Sequence, residues 1–311
     1  MRQSAYEAAY RLGRPTFKTA PPVMIDRLIP AVFVVLWSTG WIVAKFGAFH
    51  ASPLFFLVIR FGLAIVVFAG ICLFSGARWL ASRNATLHAM LSGVFLHGIY
   101  LAGVWWSIAH GVPAGISGLI SALQPLMTAV AAPFLVGERL TSRQKVGLAL
   151  GFFGIVIAIA PKLMATDANA IPLLPVLVNV AGMAAVTYGS IYQKQHLHSG
   201  DLRTIALLQY VGAFVFLTPI TLLFETPHFD NSVAVWATMA WSVLALSAGA
   251  IALLLYLLRR GQVSQAASLN YLVPAAVALQ AWVLFGEVLT VPMIIGAAVA
   301  AVGVYLTTRR G

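Results

Sequence analysis

The sequence contains few charged residues and very few acidic ones. Charged residues make up 9% of its 311 positions, and 8 Asp and Glu stand against 19 Lys and Arg. Soluble domains carry about 25% charged residues, whereas 61% of this chain is hydrophobic. The composition excludes an ordinary soluble domain and indicates a chain that lies within a lipid bilayer.

Several other features are scarce or missing. The single cysteine, Cys72, cannot form a disulfide within the chain. Residues 1–27 lack the apolar core of a signal peptide. We interpret them as a loose cytoplasmic tail, in which AYEAAYRLGR could lie on the membrane surface as a short amphipathic turn. The motifs GxSxG and HExxH and paired intramembrane acids are absent, which disfavours a membrane-embedded enzyme and predicts no cofactor and no metal ion.

Ten apolar runs approach the ~20 residues that an α-helix needs to cross a bilayer. We therefore expect an all-α membrane protein of ten transmembrane helices, with a small-molecule substrate and the lipid bilayer as its partners. The approximate bounds are 28–49, 53–74, 86–110, 113–136, 143–161, 171–194, 203–224, 234–258, 264–285 and 290–308.

An offset of 149 residues relates the two halves of the chain. It pairs Pro125, Gly137, Glu138, Leu140 and Thr141 with Pro274, Gly286, Glu287, Leu289 and Thr290. The pattern predicts a first repeat at 28–161 and a second at 171–308. Because each copy makes an odd number of crossings, the second copy should be inverted in the membrane, as in many transporters.

Basic residues gather on one side of these spans. With a cytoplasmic N-terminus, sixteen Lys and Arg fall on the cytoplasmic side and only Lys162 on the other, while Lys45 and Arg60 lie inside helices. The positive-inside rule then predicts a multi-pass protein with both termini in the cytoplasm. The net charge of +11 reflects this topology, and no nucleic-acid partner is expected.

Three of the titratable side chains within the apolar runs are candidates for a role in transport. Lys45 follows Trp37 and Trp41 at i, i+4, i+8, a stripe that fits either a cavity wall or an interfacial aromatic belt with a snorkelling lysine. Arg60 has no acid in the middle of any span, so it faces an aqueous pathway, bonds freed backbone carbonyls or snorkels outward. His97 is the candidate proton carrier, although an intramembrane His is more often a structural, hydrogen-bonded group.

Prolines interrupt helices 4 and 9 at matching positions. Pro125 frees the carbonyl of Ser121, and Pro274 frees that of Asn270. Paired interruptions of this kind indicate hinges beside a transport site, and the alternative is a pair of inert kinks. Small-residue faces on helices 5 and 10 predict close helix packing, either within the chain or against a second copy, so a homodimer stays open.

Four runs carry a family resemblance. They are WSTGWIVAK, SPLFFLVIRFGLA, GLISALQPLMTAVAAPFLVGERLT and GQVSQAASLNYLVPAAVALQAWVLFGEVLT. Across 28–308 the chain resembles the drug/metabolite transporter superfamily in its ten-helix form with two EamA-type repeats. One departure is that the second repeat has Gln209 where the first has Arg60.

The resemblance implies a carrier of the cell inner membrane that exports small metabolites by alternating access. It further implies a cavity lined by helices 1, 3, 4, 6, 8 and 9, with helices 5 and 10 peripheral. The candidate lining residues on that map are Trp37, Trp41, His97, Tyr100, Gln124, Tyr188, Tyr192, Asn270, Tyr271 and Gln280.

Charge narrows the substrate class. Carriers of lipophilic cations rely on a membrane carboxylate, which these spans lack, whereas Lys45 and Arg60 suit a substrate carboxylate. Aromatic and amide groups would hold an apolar side chain. We therefore expect a zwitterionic or weakly anionic metabolite, with amino acids as the leading example, moved by facilitated transport or weak proton coupling. The alternative is a broad exporter of neutral lipophilic toxins; a channel would not need inverted repeats with hinge prolines.

Overall fold

A computed structural model of the chain describes residues 24–136, 140–165, 170–249, 253 and 272–308. These residues fold almost entirely into helices, and the one strand-like pairing among them is an isolated antiparallel bridge between Ala51 and Phe229. The expectation of an all-α chain is confirmed for this part of the sequence.

The helices follow the apolar runs of the sequence. Six of them, α2 to α7, are long and apolar enough to cross a membrane, and the others contain shorter apolar helices. Residues 250–252 and 254–271, which contain parts of the predicted helices 8 and 9, lie outside the described residues. The bounds are α1 Met24–Ala48, α2 Pro53–Phe74, α3 Arg83–Ala109, α4 in two pieces at Ala114–Ile120 and Leu123–Val136, α5 Ser142–Leu163, α6 Leu173–His196, α7 Leu202–Phe224, α8 Val233–Gly249, α9 Val273–Phe285 and α10 Val291–Thr308.

Two helices change their winding near the centre of the bundle. α3 forms a π-helix over Val94–Ile99, and α8 does so over Trp241–Gly249. A π-helical turn is uncommon and is frequently found at functional sites. The two stretches contain His97 and Ser247, whose side chains both line the smaller of two cavities described below.

Helix α2 forms the centre of the hydrophobic core. Leu57, Phe61, Ala64 and Phe68 follow one another at helical spacing and are at most 1% exposed. This buried stripe includes the position of Arg60, which lies three residues after Leu57 and four before Ala64. Because residues three and four apart share one face of a helix, the same periodicity that buries the apolar side chains turns Arg60 into the bundle.

The interruption of α4 lies just before Pro125. The helix breaks at Ser121 and Ala122, and the Ser121 carbonyl accepts a hydrogen bond from the backbone amide of Gln124 at 3.0 Å. Proline has no backbone N–H to offer that carbonyl, so a tighter turn satisfies it instead. Pro274 lies in the first turn of α9, while Asn270 lies outside the described residues.

Helices α5 and α10 pack against each other in antiparallel orientation through their small residues. A methyl group added at Gly147 would meet the Gly303 carbonyl, and one added at Gly154 would meet the Gly296 carbonyl and the backbone of Ala300. Such contacts require residues without large side chains. The predicted small-residue faces therefore pack within the chain and leave no argument for a homodimer built on them.

The loops lie at two ends of the bundle. Acidic side chains fix several of these loops by accepting hydrogen bonds from the backbone amides at helix starts. We call residues 49–52, 110–113, 225–232 and 286–290 the Asp230 end. There the Glu287 carboxylate accepts hydrogen bonds from the backbone amides of Ala114 and Gly115 at 2.8 and 2.9 Å. These bonds satisfy two of the amides that the first turn of α4 leaves unpaired. Glu225 caps α2 in the same way through Leu54 and Phe55.

The opposite end, which we call the Asp201 end, contains residues 75–82 and 197–203. Asp201 caps α7 and accepts hydrogen bonds from the backbone amide and the guanidinium of Arg203 at 2.5 to 3.0 Å. It also accepts from the Arg78 amide at 3.2 Å. One carboxylate thus ties the α2–α3 loop to the start of α7.

Candidate functional site

Two partly open cavities lie between the helices and share lining residues. The smaller, of about 370 Å³, is bounded mainly by α1, α2, α3, α6, α7 and α8, and the larger, of about 750 Å³, by α1, α4, α9 and α10. Side chains that line both are Trp37, Trp41, Tyr100, Gln124 and Val186. The cavities therefore meet at residues from four different helices.

Arg60 provides the charge of the smaller cavity. The residue is 6% exposed, and its Nη2 lies 3.5 Å from Ser247 Oγ, which is the outer limit of a hydrogen bond. Its guanidinium carbon lies 6.0 Å from the Trp105 ring centroid, within the range of a cation–π contact. Its Nε is buried without a hydrogen-bond partner. No Asp or Glu among the described residues lines either cavity, so the guanidinium lies beside polar and aromatic groups without a counter-ion.

A hydrogen-bonded and stacked group positions this arginine. The Tyr210 hydroxyl donates to Ser247 Oγ at 2.7 Å, and Ser247 donates to the Ser242 carbonyl at 3.2 Å. The His97 ring stacks on Tyr210 with ring centroids 4.6 Å apart and ring planes 9° apart. Arg60 of α2 is thus held beside α8 through a contact that α7 and α3 support.

Trp41 adds a second vacant donor. It is 4% exposed, lines both cavities, and its indole N–H is buried without a partner. Gln209, by contrast, uses its amide nitrogen to donate to Ser92 Oγ at 3.0 Å. Of the fully buried side-chain atoms that lack a partner among the described residues, the two that belong to the smaller cavity, on Trp41 and Arg60, are both N–H donors. This arrangement can accept a ligand that brings oxygen acceptors and negative charge.

The structure brings together six of the predicted site residues, five of the candidate lining residues and Arg60, and adds others. Sequence reasoning did not select Tyr210, Ser247 or Trp105 for the cavity, because Tyr and Trp fit an interfacial belt equally well and Ser247 belongs to no spaced pattern. The one available signal was that Tyr210 follows Gln209, the counterpart of Arg60 at the 149-residue offset. The predicted residues that line one or both cavities are Trp37, Trp41, Arg60, His97, Tyr100 and Gln124.

Lys45 and Gln280 lie elsewhere. Lys45 lines neither cavity, and its Nζ lies 5.8 Å from the Phe49 ring centroid at the Asp230 end. Gln280 donates to Ser38 Oγ at 2.8 Å and so joins α9 to α1. Lys45 shares a helix face with Trp37 and Trp41, but it lies one turn further toward the Asp230 end than Trp41, beyond the residues that line the cavities.

Tyr188 and Tyr192 also line neither cavity. Tyr188 is 44% exposed and packs edge-on against Phe95. The Tyr192 hydroxyl forms a hydrogen bond with His88 Nδ1 at 2.6 Å near the Asp201 end. Their i, i+4 spacing places them on one face of α6, and that face turns away from the cavities. Asn270 and Tyr271 lie outside the described residues.

The larger cavity contains both prolines and an unexpected helix. Pro125 and Pro274 line it from α4 and α9. The expectation that helices 5 and 10 are peripheral fails for α10, whose Met293, Ala297 and Ala301 line the same cavity. The short alanine side chains leave open the space between α10 and α9. No described residue of α5 lines either cavity.

A bundle with several helices of spanning length is the architecture of a multi-pass membrane protein. The sequence model of the EamA-like transporter family matches residues 28–160 and 173–309, and the chain belongs to that family. This confirms the resemblance drawn from the four sequence runs.

Three comparisons place the chain among its relatives. It is 25% identical over 297 residues to a probable amino-acid metabolite efflux pump of Escherichia coli (strain K12), covering 90% of this chain and 94% of that protein. It is 29% identical over 208 residues to a probable terminal-alkyne amino-acid exporter of Streptantibioticus cattleyicolor, covering 66% and 67% of the two chains. A solved crystal structure with 19% identity superposes with a TM-score of 0.61 and covers 90% of this chain and 95% of its own; this likeness concerns the fold alone.

Proposed function

We propose that the protein exports amino acids or related zwitterionic or weakly anionic metabolites across the cell inner membrane by alternating access. The observation that carries the proposal is Arg60, a buried cation that lines the smaller cavity without a protein counter-ion. An uncompensated charge at such a depth costs several kcal/mol. A substrate carboxylate would offset this cost with charge-assisted hydrogen bonds.

The names of two relatives agree with this substrate class. The Escherichia coli relative is named a probable amino-acid metabolite efflux pump, and the Streptantibioticus relative a probable terminal-alkyne amino-acid exporter. Both names describe amino-acid compounds that leave the cell. Export of a carboxylate-bearing metabolite by this chain is consistent with them and with the vacant donors of Arg60 and Trp41.

For alternating access we further propose that the chain crosses the membrane ten times and consists of two inverted repeats, at 28–161 and 171–308. The packing of α5 on α10 supports this arrangement. Gly147 meets Gly303, and Gly154 meets Gly296; the 149-residue offset converts the first pair into the second. Contacts that exchange partners in this way are expected across a two-fold axis, and a two-fold axis in the membrane plane inverts one repeat relative to the other.

The positive-inside rule assigns the Asp201 end to the cytoplasm, because this end includes Arg78 and Arg203. The smaller cavity extends to Gln193 and Leu202 near that end. Toward the Asp230 end, Phe56 stacks on Trp105 with centroids 4.7 Å apart, and both rings are at most 1% exposed. We infer that the structure has its cavity closed to the outside and accessible from the cytoplasm.

The test is transport in proteoliposomes of two carboxylates, leucine and N-acetylleucine. Arg60→Gln should abolish the flux of whichever compound is carried, and Arg60→Lys should retain part of it, since lysine keeps the charge without the planar fork of donors. Lys162→Gln, which removes a cation outside both cavities, is the matched control. An Arg60→Gln protein that is correctly inserted and transports at the unmodified rate would reject the proposal.

A second candidate function is export of neutral lipophilic toxins. The larger cavity favours it, because Leu272, Leu279 and Ile294 line that cavity and are each more than half exposed. This function predicts that a neutral compound is carried and that Arg60→Gln leaves its flux intact. Growth rescue by overexpression, against amino-acid analogues and unrelated neutral drugs, distinguishes the two candidates.

A further inference from the structure

We infer that the transported species is a monocarboxylate without an ammonium group, such as an N-acylated amino acid, and that it leaves the cell as an anion driven by the membrane potential. The inference rests on the proposed function and deepens it by choosing between zwitterionic and anionic substrates.

The first argument is the position of every acid in the chain. None of the eight lies in the middle of an apolar run, including the runs that the structure describes only in part. Four of the described acids are already engaged at the ends of the bundle: Glu225 and Glu287 cap helices, Asp201 pairs with Arg203, and Asp230 forms a hydrogen bond with His50 at 2.6 Å. An ammonium group inside the bundle would therefore find no carboxylate.

The second argument concerns which cavity groups are available to a ligand. Tyr210 and Ser247 are hydrogen-bonded to each other, and the amide nitrogen of Gln209 is used by Ser92. Among the described residues that line the smaller cavity, the fully buried side-chain atoms without a partner are N–H donors, on Arg60 and Trp41. A carboxylate supplies the acceptors that these two donors need, whereas an ammonium group, which has only donors, would leave them unsatisfied.

The third argument is the chemistry of the residues that line the cavities beyond Arg60. The two cavities meet at Gln124, whose side-chain amide offers one carbonyl acceptor and one amino donor group. An acylated amine presents the complementary pair, one N–H and one carbonyl. The larger cavity, lined by residues such as Leu119, Val273 and Met293, would then take the apolar groups. An N-acylated apolar amino acid matches this order of chemistries.

An anion of this kind needs no proton relay. The interior of the cell is electrically negative, and one charge moving across 100 mV changes its free energy enough to shift its equilibrium distribution about 50-fold. Outward movement of the anion is favoured by that field. The absence of carboxylates from the middle of the apolar runs, which could have exchanged protons, agrees with transport of the anion alone.

The test uses proteoliposomes of the full chain, with a potassium gradient and valinomycin that make the lumen about 100 mV positive. External N-acetylleucine should accumulate in the lumen, approaching about 50-fold at equilibrium, while leucine, if it enters, should only equalise. The end point of a uniporter does not depend on how the protein is oriented in the vesicle. N-acetylleucinamide, which has no carboxylate, tests the need for the charge, and protein-free vesicles supply the background.

Two cavity variants and one control outside the cavities test whether transport depends on the cavity. Arg60→Gln should abolish accumulation of N-acetylleucine, and Lys162→Gln should not change it. Trp41→Phe removes the indole N–H and keeps an aromatic ring, so it should raise the half-saturating concentration several-fold while the final accumulation ratio stays the same. A purely structural effect of Trp41 would instead lower the amount of active protein and leave the half-saturating concentration unaltered.

The transport results distinguish the inference of an anionic substrate from the proposed export of amino acids. Potential-driven accumulation of N-acetylleucine supports the inference. Equal concentrations of N-acetylleucine on both sides of the membrane overturn it, and so does transport of leucine without N-acetylleucine, which leaves the proposed export of amino acids standing. Transport of N-acetylleucinamide with neither carboxylate rejects the inference and the proposed function together.

Discussion

His97 of α3 and Tyr210 of α7 stack face to face, with ring centroids 4.6 Å apart. The same tyrosine donates its hydroxyl hydrogen to Ser247, which lies beside Arg60. The imidazole therefore has a structural neighbour that explains its place in the bundle. Aromatic pairs of this geometry contribute about 0.5–1.5 kcal/mol beyond the burial of their surface.

This stack leads to a prediction about energy coupling. His97→Phe keeps an aromatic ring against Tyr210 and removes the only titratable nitrogen atoms at this position. Efflux from proteoliposomes, measured with and without an imposed pH gradient, should respond to the gradient in the same way for the variant and the unmodified protein. His97→Ala, which removes the ring, should lower the flux by loosening Tyr210. Loss of a pH-gradient response in the Phe variant alone would identify His97 as a proton carrier.

The bridge between Ala51 and Phe229 makes alternating access testable at the Asp230 end. Hydrogen bonds from Ser52 to His228 and from Asp230 to His50 flank this pair. Ala51 and Phe229 therefore form a non-hydrogen-bonded pair, in which the Cα atoms lie about 4.5 Å apart, within the range of a disulfide. In a Cys72→Ala background, oxidation of Ala51→Cys with Phe229→Cys should stop transport, and a reductant should restore it.

The single variants serve as controls for that cross-link. Phe229 packs against Phe56 and Trp236, so Phe229→Cys alone reports the cost of lost packing. Neither single variant should respond to the oxidant, because Cys72 has been removed. If the cross-linked double variant transported at the rate of its reduced form, the Asp230 end would not separate during the cycle.

Asp201 predicts a pH dependence of stability. Hydrogen bonds from the Arg203 guanidinium, with further backbone bonds, hold the pKa of Asp201 below its ordinary value. The carboxylate therefore contributes stability above its ordinary pKa of about 3.9, and this contribution is lost as the pH falls from there toward the lowered value. Asp201→Asn should lower the melting temperature in detergent by a constant amount between pH 5 and pH 8, and the difference should shrink below about pH 4.

A matched substitution separates charge from helix capping in this experiment. Asn is also a good N-cap residue, whereas Asp201→Ala removes the cap and should cost about 1 kcal/mol more. Ala and Asn variants of equal stability would show that the backbone bond of Asp201 to the start of α7 contributes little. A melting-temperature difference that grows as the pH falls below 4 would contradict the assigned direction of the pKa shift.

The sequence predicted features that local chemistry determines. Apolar runs predict the helices because a segment inside lipid must satisfy its own backbone hydrogen bonds. Pro125 predicts an interruption because proline lacks an N–H group. Lys45 and Arg60 could not be separated in this way, since both are cations in apolar runs. Their different surroundings depend on the level that each residue occupies along its helix and on the neighbours that the assembled bundle places there.

Two further findings depend on distant contacts. Ser247 lies in a π-helical stretch of α8, and its partner Arg60 is 187 residues away. Glu287 stands out in the sequence because it repeats at the 149-residue offset. It caps α4 by accepting a hydrogen bond from the backbone amide of Ala114, which is 173 residues away. Repetition marks such a residue without revealing its partner, because the partner is defined only when the helices assemble.

The antiparallel packing of α5 on α10 gives the last prediction. A Cβ atom at Gly154 would collide with the backbone of α10, whereas a Cβ atom at Gly70 in α2 would meet no atom within 4 Å. Gly154→Ala should therefore destabilise the protein by about 1–3 kcal/mol through overpacking. Gly70→Ala should stabilise it by up to about 1 kcal/mol, because alanine favours the helix. Thermal unfolding of both variants in the same detergent measures the difference, and equal melting temperatures would mean that α5 and α10 do not pack through these glycines.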